Sequence, residues 1–126
     1  MERAETSLQA VILVPVVFLI VFMCFHLAAL IHQGHVAMAL AIRGAEITSA
    51  SDNHFDAHGR AVAEMKLMSA ELGAHLSRTP SFNYEENSVL VTVHLRVTGA
   101  VPFLPRVASA TARQTLERFV PEQDRE

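Results

Sequence analysis

An apolar segment near the N-terminus constrains the fold of this chain most strongly. Residues 10–31 contain no Asp, Glu, Lys or Arg, and their number matches the roughly 20 helical residues needed to cross about 30 Å of hydrocarbon. The β-branched residues in the segment would favour a strand in water, but a lone strand in lipid leaves its backbone groups without partners. The segment therefore predicts one transmembrane helix, with Pro15 close to its N-terminal end.

A cleavable secretory signal peptide is the alternative interpretation of this segment. Small residues at Ala37, Ala39 and Ala41 would supply a cleavage site. Against it, the first seven residues carry two acids and one base, and the apolar run is longer than a typical signal core. Helical sequence also continues without a break through Ile47. These features favour a membrane helix, and a signal peptide stays open as the alternative.

Length and charge limit what the rest of the chain can do. The protein has 126 residues, so roughly 90 remain for one small domain, too few to make a deep enzyme cleft an expected feature. The net charge is −3, which provides no broad basic surface for nucleic acid. The only cysteine, Cys24, lies in the apolar run and excludes an intrachain disulfide.

Helical sequence extends beyond the apolar segment. The pattern continues to about Ser49 as a stalk, and Asp52 or Asn53 is placed to cap a second helix. That second helix is predicted over about residues 56–77. Its apolar positions recur at spacings of three and four and draw one stripe, interpreted as core. The stripe consists of Ala61, Met65, Met68, Leu72 and Leu76.

The C-terminal part of the chain reads as antiparallel sheet. A first strand contains Phe82 and Tyr84. The clearest alternation in the chain follows, with Val89, Val91, Val93, Leu95 and Val97 on one face. Gly99, Pro102 and Pro105 indicate a loop. Residues 110–119 fit either helix or strand, and a strand is favoured because Thr111, Arg113, Thr115 and Glu117 alternate as an outward face.

These elements predict an α+β protein in which the second helix packs on a three-stranded antiparallel sheet. The predicted organisation is a short N-terminal segment (1–9), a transmembrane helix (10–31), a helical stalk (32–50), a small extracytoplasmic domain (51–120) and a polar tail (121–126). Arg3 and Arg43 flank the span almost evenly, so charge determines orientation only weakly. A cytoplasmic N-terminus is favoured because a short leader stays behind while the larger part is exported.

Histidines are the residues that most invite a chemical role. His54 and His58 share a helix face at four-residue spacing, and His32 and His35 form a second pair. Without further ligands at suitable spacing, both pairs are interpreted as solvated residues. His26 lies inside the apolar run, where ionisable residues are often functional. Its alternative is a neutral imidazole that reaches interfacial water.

No catalytic or cofactor-binding motif accompanies these residues. The sequence contains no Gly-x-Ser-x-Gly motif, phosphate-binding glycine loop or dinucleotide fingerprint. We therefore expect a protein that is not an enzyme and that has no metal, cofactor or small-molecule substrate. Gly34, Ala37, Ala41 and Ala45 form a series of small residues at spacings of three and four. Such a face permits close helix packing and predicts a candidate assembly surface, with simple helix compatibility as the alternative.

Two motifs in roughly the first 45 residues carry a family resemblance. The first runs from Ser7 into the apolar segment with its early Pro15, and the second is the alanine-rich continuation from Gly34 to Gly44 and Ala45. On these motifs the chain resembles TadE-like pilus assembly proteins. The resemblance implies a pilin-like fold and a role in a tight-adherence (Flp-type, type IVc) pilus or a related secretion machine. Its partners would be other pilins, pilus machinery proteins and membrane lipid.

The resemblance also implies a processing site, from which this chain departs at two positions. Pilin-like precursors usually carry glycine before the prepilin-peptidase cut and glutamate at the fifth mature residue. Aligning the early proline with Pro15 places Ala4 at the glycine position, Glu5 after the cut and Gln9 at the glutamate position. These departures imply a minor, pseudopilin component in the cell membrane. The alternative function is a membrane-tethered precursor of a secreted binding domain.

Overall fold

A computed structural model describes residues 2–51, 53–98 and 103–116. Its first element is one continuous helix, α1, which spans Glu2–Ser49 and includes Pro15. The continuation of the apolar helix to about Ser49 is therefore confirmed. Several predicted features lie outside the described residues, namely Asp52 as a cap, Gly99 and Pro102 in the loop, Glu117 on the last strand, and the tail from residue 121.

The two halves of α1 have different surroundings. Side chains in residues 3–25 are exposed, whereas from Val36 onward one face of the helix is buried in the core of the domain. That buried face includes Ala37, Leu40, Ala41 and Ala45. The segment predicted as a stalk (32–50) thus contributes directly to the hydrophobic core. A single helix forms both the exposed apolar segment and the central element of the folded head.

The second helix, α2, is shorter than the sequence pattern predicted. It spans His54–Glu71, and Asn53 caps its first turn by accepting a hydrogen bond from the Phe55 amide. The predicted end near residue 77 is wrong, because Gly73 adopts a φ of +68° and terminates the helix. The Ala74 and Gly73 amides donate to the carbonyls of Ser69 and Ala70, as in a Schellman motif.

The consequence is that the predicted apolar stripe divides between two elements. Ala61 and Met65 are buried and Met68 is partly buried, as expected for a core face. Leu72, by contrast, is exposed at the helix end. Leu76 lies in a strand and packs against the core from there.

The sheet contains four strands, one more than predicted. They are β1 (His75–Leu76), β2 (Ser81–Tyr84), β3 (Ser88–Arg96) and β4 (Val107–Thr115). All pairs are antiparallel, and β3 is central: β4 follows one of its edges, while β2 and the two-residue β1 share the other. The prediction of a strand over residues 110–119 is confirmed as far as Thr115, the last residue of β4.

The predicted alternation of β3 is confirmed by its burial. Val89, Val91, Val93 and Leu95 are buried, and Val97 continues the same face just beyond the strand. On β4, Ala108 and Ala112 face the core. The predicted outward residues Thr111, Arg113 and Thr115 are exposed. Here the period-two pattern alone identified which face of the sheet is buried.

The helix that packs on this sheet is not the one predicted. The main element packed on β3 and β4 is the C-terminal half of α1, and α2 packs beside it on α1. An exposed ion pair between Arg43 and Glu64, 3.6 Å apart, joins the two helices. The second helix reaches the sheet through Met65 in the core and through His58, whose ring lies edge-on to Phe82. The sheet is covered mainly by α1 because that helix carries the unbroken small and apolar face.

Gly44 allows α1, α2 and β3 to approach closely, which yields a prediction. A Cβ at this position would lie 2.6 Å from Met65 Sδ and 3.3 Å from Val91 Cγ1. We expect Gly44→Ala to lower the free energy of unfolding by about 1–2 kcal/mol, since overpacking outweighs the helix preference of alanine. Thermal unfolding of the full chain in detergent micelles, followed by circular dichroism, measures the change.

Gly59→Ala on α2 is the matched control. No atom lies within 4 Å of a Cβ built at Gly59, so the substitution should stabilise the chain by up to about 1 kcal/mol. Equal stabilisation by both substitutions would contradict the close contact at Gly44.

Candidate membrane and assembly segment

The exposed half of α1 is the most unusual surface of the molecule. By its length and composition the helix can cross a membrane. Only 6% of its most apolar part is buried inside the chain, which distinguishes it from the core helix of a soluble domain. Large apolar side chains project around the whole circumference, from Leu8 and Val11 to Phe25. In water such a surface is unfavourable, so it requires lipid or other apolar helices.

The residues of the predicted processing site lie at the beginning of α1. Ala4, Glu5 and Gln9 are helical and exposed. Gln9 borders an apolar surface groove of about 360 Å³ that is lined by Ile12, Leu13 and Val16. Gln9 therefore places a neutral amide beside this groove, at the N-terminal end of the apolar surface.

The small-residue face has a partner within the chain itself. Ala37, Ala41 and Ala45 are fully or almost fully buried in the core. Their small size lets the α1 backbone approach β3 and β4 closely. Gly34 is only partly buried, and a Cβ built there meets nothing within 4 Å. The three alanines thus pack in the chain's own core. Gly34 is the member of the series with free space beside it.

His26 makes a contact that sequence reasoning did not predict. Its side chain is 2% exposed, and its Nε2 lies 2.9 Å from the Pro105 carbonyl oxygen, 79 positions further along the chain. Because a carbonyl only accepts, His26 donates from Nε2. Nδ1 is buried without a hydrogen-bond partner among the described residues. The partner of His26 is thus the connection between β3 and β4, which neither interpretation of the sequence included.

Among the histidines whose side chains the structure describes, no hydrogen bond joins one ring to another. His32 and His35 are exposed on α1, and the His58 ring packs against Phe82 at a centroid distance of 4.4 Å. In the ranges 2–51, 53–98 and 103–116, no group of three His, Cys, Asp or Glu side chains is placed to hold a metal ion. The Cys24 thiol is free and exposed on the apolar half of α1.

Two sequence signals pointed to the His26 contact without identifying it. One was an ionisable residue within an apolar helix, and the other was an apolar, proline-containing loop between two strands. Each signal is local, whereas the contact depends on how the sheet packs along α1. Comparison of this chain with models of known protein families, with curated proteins and with solved structures gives no match.

Proposed function

We propose that this chain is a minor pilin-like (pseudopilin) subunit of a tight-adherence, Flp-type pilus or a related secretion machine. In this proposal α1 anchors the chain in the cell membrane as a single pass, with its N-terminus in the cytoplasm and its head outside. The apolar half of α1 then packs with the helices of other pilins during assembly. The motifs from Ser7 to Ala45 provide the link to this class of machine.

The observation that supports the proposal best is that the two halves of α1 have different surroundings. One continuous helix presents an apolar surface over residues 10–25 and contributes to the core of an α+β head from Val36 onward. A subunit built this way is held by lipid before assembly and can exchange that lipid for neighbouring helices afterwards. The head stays folded in both situations, since its buried core contains residues of α1 only from Val36 onward.

The alternative function, release of the head as a secreted binding domain, is less compatible with the core. Cleavage after Ala39 or Ala41 would remove Val36, Ala37 and other residues of α1 that pack on the sheet. The released domain would lose part of its central helix and expose the face of β3 and β4. A retained N-terminal helix avoids this loss.

Gln9 is the first reason for proposing an accessory subunit and not the main fibre subunit. A buried carboxylate at this position would pair with the N-terminal amine of a neighbouring subunit, and a neutral amide forms only an ordinary hydrogen bond. Ala4 likewise differs from the glycine expected before the cut. Both departures favour a low-copy accessory role over that of the main fibre subunit.

Photo-cross-linking in the native cell tests the proposal. Benzoylphenylalanine replaces Phe18, which is exposed on the apolar half of α1, and the matched control replaces Phe55, which is 87% exposed on the head. We expect the Phe18 probe to form adducts with pilins or with the pilus platform, and the Phe55 probe to form clearly fewer. An epitope tag after Glu126 identifies the adducts and reports the size of the chain.

Two outcomes would contradict the proposal. One is a Phe18 probe that forms no adduct with another pilus component while the chain is abundant in the membrane. The other is a shortened, tagged species in the medium, which would support the secreted domain.

A further inference from the structure

The end of the β3–β4 hairpin lies beside the apolar half of α1. The hydrogen bond from His26 to the Pro105 carbonyl fixes its position along the helix. His26 lies five residues before Ile31, where the apolar segment ends. At the rise of an α-helix this corresponds to a level about 7–8 Å inside the apolar segment. Pro105 therefore lies beside the apolar segment, about 7–8 Å below the level at which that segment ends.

The side chains at this end combine an exposed aromatic ring with cations. Phe103 is 95% exposed, although it is large and apolar. Arg96 is the register partner of Val107, and the Val97 amide donates to the Arg106 carbonyl, so the two arginines flank the base of the same loop. Both arginines are exposed. Within the described ranges neither forms an ion pair with an acidic residue.

We propose that Phe103, Arg96 and Arg106 form a second membrane contact, in which the Phe103 ring inserts into lipid just below the headgroups and the guanidinium groups of Arg96 and Arg106 reach up to anionic headgroups. The inference rests on α1 spanning the membrane, as proposed above. Aromatic rings concentrate at membrane interfaces, and arginines bury their stems while their guanidinium groups stay at the polar surface. Juxtamembrane cations are further attracted by anionic lipid.

His26 lowers the energetic cost of placing this loop at membrane depth. An irregular backbone at membrane depth leaves carbonyls that water cannot reach, and each one needs a partner within the protein. His26 supplies that partner for Pro105, and proline has no amide N–H that would need another. His26 is thus a positioning residue that holds the loop against α1. The head consequently has a fixed height and orientation relative to the bilayer surface.

Tryptophan fluorescence tests this contact, because the chain contains no tryptophan of its own. Three single-tryptophan variants of the full chain, Phe103→Trp, Phe55→Trp and Phe18→Trp, are reconstituted in vesicles of phosphatidylcholine with phosphatidylglycerol as the minor lipid. Lipids brominated at shallow or deep chain positions and aqueous acrylamide serve as the quenchers. We expect shallow brominated lipid to quench Phe103→Trp at least about twofold more than Phe55→Trp, and acrylamide to show the reverse order.

The Phe18→Trp variant separates failure of this inference from failure of the membrane span. Deep quenching at position 18 with equal behaviour at positions 103 and 55 overturns the second contact alone. Absence of lipid quenching at position 18 overturns the span, and the second contact with it. A tryptophan at 103 that is shielded from acrylamide but untouched by brominated lipid is covered by protein, which also overturns a lipid contact.

Substitutions of His26 and the arginines test their roles in the Phe103→Trp background. His26→Leu removes the donor and should lower shallow quenching by about twofold, whereas His26→Gln keeps an N–H donor and should restore most of it. Replacing Arg96 and Arg106 together with Gln should lower the quenching in vesicles with phosphatidylglycerol, and less in pure phosphatidylcholine. Quenching unchanged by all of these substitutions would overturn the positioning by His26 and the role of the arginines.

Discussion

Leu19→Arg is expected to weaken the membrane insertion of the chain strongly. Leu19 lies near the middle of residues 10–31 and is exposed on α1. At the centre of a transmembrane helix, exchanging leucine for arginine costs about 3–4 kcal/mol of insertion free energy, a factor of at least about 100 in the insertion equilibrium. Helix propensity barely changes, because leucine and arginine are similar helix formers. Carbonate extraction of membranes, with quantification of the retained chain, measures the effect.

Leu67→Arg provides the matched control for this substitution. Leu67 is an exposed leucine on α2, in the folded head. Because it faces solvent, the same chemical change should leave membrane retention within error of wild type. Retention of Leu19→Arg at the level of Leu67→Arg would contradict the assignment of the exposed half of α1 to the bilayer.

Ala41→Leu is expected to destabilise the head strongly. Ala41 is fully buried between α1 and the sheet, in a cluster that includes Leu40, Val91 and Val93. Three additional carbons in this packed site force side chains or backbone to shift, at a cost of about 1–3 kcal/mol. For a domain of this size, each 1 kcal/mol lowers the melting temperature by about 4–8 °C. The full chain in detergent micelles is again the sample, with sheet circular dichroism as the readout.

Gly34→Leu on the same helix separates overpacking from any general effect of adding leucine. A Cβ at Gly34 meets nothing within 4 Å, and leucine is the better helix former by about 0.8 kcal/mol. The melting temperature of this variant should stay the same or rise. If Ala41→Leu is as stable as Gly34→Leu, the helix does not pack on the sheet at Ala41 as described.

The strands show what local pattern alone could predict. Alternation along β3 identified the buried face of the sheet, because a strand with one face in the core must place apolar residues at every second position. The length and composition of the apolar segment predicted the exposed helix in the same way. Both features depend on neighbouring residues in the sequence, and local physical chemistry determines them.

The end of α2 was predictable but was missed. The apolar spacing continued through Leu72 and Leu76, and this outweighed the glycine between them. Gly73 is the stronger signal, since a left-handed residue at the helix end lets its own amide and the next one donate to two free carbonyls. The same glycine turns the chain into β1, which is too short to carry a recognisable pattern.

Long-range packing could not be obtained from the sequence. A small-residue face on a helix fits a neighbouring subunit or the chain's own sheet equally well, and only the tertiary structure places Ala37 and Ala45 in the core. The contact between His26 and Pro105 is of the same kind, because it joins residues 79 positions apart. Neither contact leaves a periodic signature.

The orientation of the chain in the membrane is tested most directly by cysteine accessibility. Phe55→Cys on the head and Ser7→Cys at the start of α1 are each introduced in a variant in which Cys24, the only native cysteine, is replaced by alanine. An impermeant maleimide is applied to cells whose wall barrier has been opened, before and after the membrane is permeabilised. Labelling of Phe55→Cys before permeabilisation, and of Ser7→Cys only afterwards, is the predicted result. Labelling of Phe55→Cys only after permeabilisation would contradict a head that lies outside the cytoplasm.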